Sequence, residues 1–191
     1  MSQAAGTIKH MPFAYYDRLS AESKRTYRKS DRVLRVDLPD VARLMPLAAA
    51  IAPALEEESV ARVRDGSQAL VNELNRQLAT PPVIVKVLER RPLSSAYELQ
   101  GLYEPDEVTG GTARITVWMR TAKKENVVKF RTFLRTLLHE VCHHLDYELY
   151  KLDETFHTEG FYARESALMR DLMGEERDGA RRGSPPASPE S

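Results

Sequence analysis

The chain has only one cysteine, Cys142, so no disulfide can close within it, and a reducing cytoplasm is its simplest home. Long apolar runs are also missing. The best candidate, residues 45–55, falls short of the roughly 20 residues a membrane span needs and is interrupted by Pro46 and Pro53. No membrane partner is therefore expected. The first residues show no basic-then-apolar export pattern. Charge of one sign is not in excess, because 28 Lys and Arg balance 28 Asp and Glu. Bulk electrostatics thus single out neither nucleic acid nor an anionic surface. Repeats of solenoid length are absent as well. What remains is a globular mixture, 42% hydrophobic and 29% charged over 191 residues, enough for one domain with extensions.

The ends read differently from the middle. Residues 174–191 hold no large apolar side chain and are expected to be a disordered tail. Residues 1–40 form a basic N-terminal arm. Within it, Lys24, Arg25, Arg28, Lys29, Arg32 and Arg35 alternate with Tyr15, Tyr16, Leu19 and Tyr27 over 12–36, and 19–29 predicts a helix. Such an arm either packs its tyrosines on the domain or offers cations and stacking rings to nucleic acid.

Residues 41–173 predict the folded domain. Residues 40–55 read as helix in pieces, broken by prolines. Val60, Val63, Leu70, Val71, Leu74 and Leu78 keep a 3.6-residue period that Pro81 and Pro82 end. The period then drops to two. Residues 83–88, 97–103 and 113–119 predict three strands, with turn chemistry at 104–111. Short connections suggest an antiparallel meander. A long helix over 126–152 and a closing helix over 160–173 complete an α+β fold.

The long helix carries the chemistry. Phe130, Leu134, Leu137, Leu138, Val141, Leu145 and Leu149 form an apolar stripe at helical spacing. At 100° per residue, His139 and His143 fall roughly 140–180° from the centre of that stripe. Being i and i+4, they stack on one face and can share an ion. Glu140, about 100° round, is turned away from the ion but can reach a water on it. His139-Glu140-Val141-Cys142-His143 is thus the HExxH pattern of zinc peptidases, in which one Zn2+ lowers the pKa of its water toward about 7 and the glutamate takes the proton.

Two histidines do not complete a catalytic zinc site, which wants three protein ligands. His157, in the turn after the helix, is the favoured third ligand. Glu165 is its rival. It lies on the inward stripe of Phe161, Leu168 and Leu172, where a carboxylate needs a partner; otherwise it accepts a hydrogen bond from a ligating histidine. Glu159 is a weaker candidate, also explained as a helix N-terminal acid. Asp146, three residues after His143, can orient that histidine. Cys142 and His144 point away from the pair and are not read as ligands.

The chain here resembles the zincin metallopeptidases, most closely the SprT/Spartan-like minimal zinc peptidases. The resemblance rests on His139–His143 and on His157-Thr158-Glu159-Gly160-Phe161, and in order of elements it extends over about 60–175. It implies a zinc endopeptidase with Glu140 as base, acting on a protein or peptide, and for Spartan-like members on DNA-bound protein. It also implies that the strand before the metal helix, 113–119, is an open edge on which substrate lies, with Trp118 beside the groove. The alternative function is a non-proteolytic zinc-binding regulatory or nucleic-acid-associated protein.

Overall fold

A computed structural model describes residues 13–90, 101–121 and 126–175. Residues 1–12, most of the expected tail and the first four residues of the expected second strand lie outside the described part.

Local chemistry marks the helix starts. Ser20 accepts the Ser23 amide at the head of α1 (Ala21–Asp31), and Asp40 accepts the Arg43 amide at the head of α2 (Val41–Ala49). Pro46 is contained within α2, and α3 (Ile51–Glu56) follows directly. Ser59 caps α4 (Val60–Leu78), which ends at Ala79 with φ +52° ahead of the two prolines. The strands are β1 (Ile84–Arg90), β2 (Gly101–Glu104) and β3 (Arg114–Arg120), with a one-turn α5 (Asp106–Thr109) before β3. Then come α6 (Phe130–Glu148) and α7 (Glu159–Met173), the latter capped by Thr158.

The sheet corrects the antiparallel meander. Its order is β1-β3-β2, with β3 parallel to β1 and antiparallel to β2. The reason is burial. All five inner residues of β3, from Ile115 to Met119, are buried, so β3 takes the middle, whereas β1 alternates and β2 is half open. The expected open substrate edge therefore cannot be β3, which is paired on both sides. Among the described residues, the strand beside the metal helix with an unpaired edge is β2.

Val85, Val87, Ile115, Val117 and Met119 join Leu70, Val71 and Leu74 of α4 and Leu134, Leu138, Val141 and Leu145 of α6 in one core. The helix α6 packs on β2 and β3 and also on α7. It is covered on more than its apolar stripe: Cys142, His144 and Asp146 are fully buried too. The helix α1 docks on α7, with Ser30 buried against Arg164, while Tyr27 is buried among Tyr15, Tyr16 and Phe156. None of the helices among the described residues is long and apolar enough to cross a membrane.

Candidate metal centre

One turn of α6 separates His139 from His143, and their ring centroids stand 4.9 Å apart. The chain reverses through residues 149–158, where Lys151 has φ +49°, and brings His157 over the pair just before the Thr158 cap. His157 Nε2 lies 3.0 Å from His139 Nε2 and 3.1 Å from His143 Nε2. Phe161, fully buried, forms a floor with its centroid 4.7 to 5.1 Å from all three rings.

The other ring nitrogens decide what this convergence means. His139 Nδ1 lies 2.8 Å from Glu165 Oε2, and Arg135 donates to the other oxygen at 2.9 Å. His143 Nδ1 lies 2.7 Å from Thr155 Oγ1, whose hydroxyl donates to Asp146 Oδ2, also at 2.7 Å. Both imidazoles thus donate from Nδ1 and turn a lone pair inward at Nε2. A single N–H on His157 could satisfy only one of them. Burial, reinforced by the neighbouring rings, lowers the His143 pKa to about 2 and also pushes His157 down, so protonation is not the remedy. Three inward nitrogens within 4.8 Å of one another could hold a metal ion. Imidazole nitrogens suit zinc, and His139 and His143 are each oriented through the far nitrogen of the ring.

Glu140 sits beside this triad, only 4% exposed, and its carboxylate accepts the Tyr103 backbone N–H. Burial raises its pKa to about 7, although His139 and the Tyr103 amide pull the other way. Beside it passes β2 at Gly101. A Cβ there would lie 2.7 Å from Glu140 Cγ and 2.8 Å from Cδ, so glycine is what lets strand and carboxylate share the space. Gly101, Leu102, Tyr103, Tyr147 and Thr155 wall a cleft of about 410 Å³ that opens on the histidines and Glu140.

The raised pKa has a consequence for metal-free protein. Unfolded Glu140 ionises near 4.5, but the folded group holds its proton to about 7. Its contribution to stability is intact below pH 4.5 and is lost as pH rises to 7. Over that interval wild type should lose about 3 kcal/mol relative to Glu140→Gln, whose amide does not titrate. Urea denaturation of both proteins in chelator at pH 4.5 and pH 7.5 measures the difference; parallel pH curves would refute it.

The remaining sequence candidates separate cleanly. Glu165 orients His139 and is not in the converging triad. Asp146 reaches His143 only through Thr155. His144 is occupied elsewhere: its Nε2 lies 3.1 Å from the Pro81 carbonyl and its Nδ1 3.3 Å from the Tyr103 hydroxyl. Cys142 is buried, and burial pushes its thiol up from the ordinary value, away from the thiolate that ligation requires. Glu159 stands in the first turn of α7. Trp118 does not line the cleft; it lines a separate small pocket with Val128, Thr132 and Phe133. Sequence reasoning missed Thr155, Arg164, Gly101 and Tyr103. Of these only Gly101, a glycine amid strand-forming residues, carried a local signal of close backbone approach.

Neither models of known families, nor curated proteins, nor solved structures match this chain.

Proposed function

We propose that this chain is a zinc-dependent endopeptidase of the zincin type, closest in plan to the SprT/Spartan-like minimal peptidases. One observation carries the reading: three imidazoles present converging Nε2 atoms, with a buried carboxylate next to them at the mouth of an open cleft. His139, His143 and His157 would hold the ion. When bound, zinc supplies a Lewis acid and draws the pKa of a water toward about 7.

The chain's own groups do the rest. Glu140, whose proton affinity is already near neutrality, takes a proton from the attacking water and delivers it to the nitrogen of the departing amine. The Tyr103 amide fixes its carboxylate. An extended peptide lies along the outer edge of β2, in the cleft wall, by strand addition. The basic arm has internal partners: Arg28 donates to Tyr16, Lys29 to the Lys151 carbonyl, and Arg35 to Asp171. The last two, which leave the arm, support packing on the domain over a contact with nucleic acid.

The test is direct. Purified protein should contain about one zinc per chain and cut an unstructured protein, with activity removed by chelator and restored by zinc. Zinc retained without cleavage would favour a regulatory zinc protein; failure to bind zinc with all three histidines intact would end the proposal. Gly101→Ala is a finer probe. By displacing the Glu140 carboxylate it should lower turnover by about 10²-fold while zinc content stays unchanged. Unaltered turnover would show that β2 does not set the position of the base.

A further inference from the structure

The loop that delivers His157 also delivers Thr155, two residues earlier. Thr155 lies on no regular element, yet it bridges two α6 side chains, with both of its contacts at 2.7 Å. Asp146 is three residues from His143 on the same helix, but it reaches the imidazole only through this hydroxyl.

Behind the hydroxyl the network is closed off from water. Asp146 and Arg164 have fully buried side chains, and Arg164 Nη2 donates to Asp146 Oδ1. The same guanidinium donates to the carbonyls of Ser30 at 3.0 Å and Val33 at 3.1 Å and to Ser30 Oγ at 3.0 Å. A guanidinium does not give up its proton, so a neutral Asp146 would strand a buried cation. Asp146 is therefore the charged acceptor, and the polarity of the chain follows. Thr155 must give its proton to Asp146 and so can only accept from His143, which fixes the proton on Nδ1 and the lone pair on Nε2.

We propose that Thr155 is a positioning residue of the metal centre, a hydroxyl relay that fixes the tautomer and aim of His143 from Asp146 while tethering the loop that carries His157. The partner of His139 shows why a relay is used. Glu165 comes from α7 and meets its imidazole directly, whereas Asp146 shares a helix with His143 and needs a bridging atom from outside it. The inference rests on the three-histidine zinc reading, but part of its test does not.

The experiment compares wild type, Thr155→Ser and Thr155→Val. Zinc affinity is read by competition with a chromophoric chelator. The His143 tautomer is read by long-range 1H–15N correlation in metal-free protein. Serine keeps the hydroxyl and should retain wild-type affinity within a few-fold, with Nδ1–H on His143. Valine keeps the shape and removes the relay. It should weaken zinc binding by about 10–100-fold and give His143 a mixture of tautomers. Should the Thr155→Val change disturb folding, Thr155→Ala removes the hydroxyl without its bulk, leaves the Asp146–Arg164 pair intact and should again mix the tautomers. A pure Nδ1–H tautomer in both Thr155→Val and Thr155→Ala, or equal zinc affinity in wild type, Thr155→Ser and Thr155→Val, overturns the relay. A wild type that binds no zinc overturns the metal reading alone, and the tautomer spectrum still decides the relay.

Discussion

Glu140→Gln is expected to lower peptide hydrolysis by about 10²–10⁴-fold while zinc remains stoichiometric. Under the zinc-peptidase proposal the two readouts part because the carboxylate serves proton transfer and is not one of the converging nitrogens. Glutamine keeps the volume and can still meet the Tyr103 amide through its carbonyl oxygen, so the cleft keeps its shape. What it loses is a base with affinity for a proton near pH 7. An enzyme whose hydrolysis survives Glu140→Gln would have another base, and the assignment of the HExxH glutamate would fall. Variants in which zinc and activity vanish together would point to a collapsed site, which is why zinc content is measured on the same sample.

Removing the buried cation should produce the largest loss of stability. Arg164→Met leaves Asp146 without its counter-charge and leaves the Ser30 and Val33 carbonyls short of a donor. Severing one half of a buried ion pair typically costs about 3–5 kcal/mol. The loss is read as a fall in the urea midpoint of metal-free protein at unchanged slope. The double variant Arg164→Met with Asp146→Asn should recover part of it, because the penalty lies mainly in the stranded charge. A single variant within about 1 kcal/mol of wild type would mean that the guanidinium is dispensable. The ring contacts of Arg164 with Tyr150 and Phe161, at 5.6 and 5.2 Å, stand beside the ion pair and are not separated by this comparison.

The part of the site that could be read from the chain is the part encoded by short spacings. His139 and His143 follow from the helical repeat, and His157 from its position in the return loop. The role of Glu165 was partly visible, since a carboxylate among Phe161, Leu168 and Leu172 had to find a partner. Thr155 was not visible, because a threonine in a turn looks like any other until α6 lies under it. Arg164 was hidden for the same reason, with partners more than 130 residues away, at the end of α1 and just beyond it. Short connections do not determine the order of this sheet. Strand identity depends on local pattern, but strand order depends on which strand can be buried on both faces. The unbroken run Ile115-Thr116-Val117-Trp118-Met119, lacking a clean polar alternation, was the sign that β3 lies in the middle.

Gly160 marks where the two distant segments meet. A Cβ on it would stand 2.7 Å from the Ser30 carbonyl oxygen, so the end of α1 and the start of α7 touch backbone to backbone. The contact spans about 130 residues, and it braces the loop that holds Thr155 and His157; Tyr15 adds a hydroxyl on the His157 carbonyl. The consequence is one of timing. On a ribosome the histidines of α6 emerge before the loop, and the loop before the helix that closes on it. The first-made segment must wait for the last before the three nitrogens are held together. Such non-local closure is slow compared with helix formation. A growing chain therefore has only a loose pair of imidazoles, and the converged triad becomes a signature of finished folding.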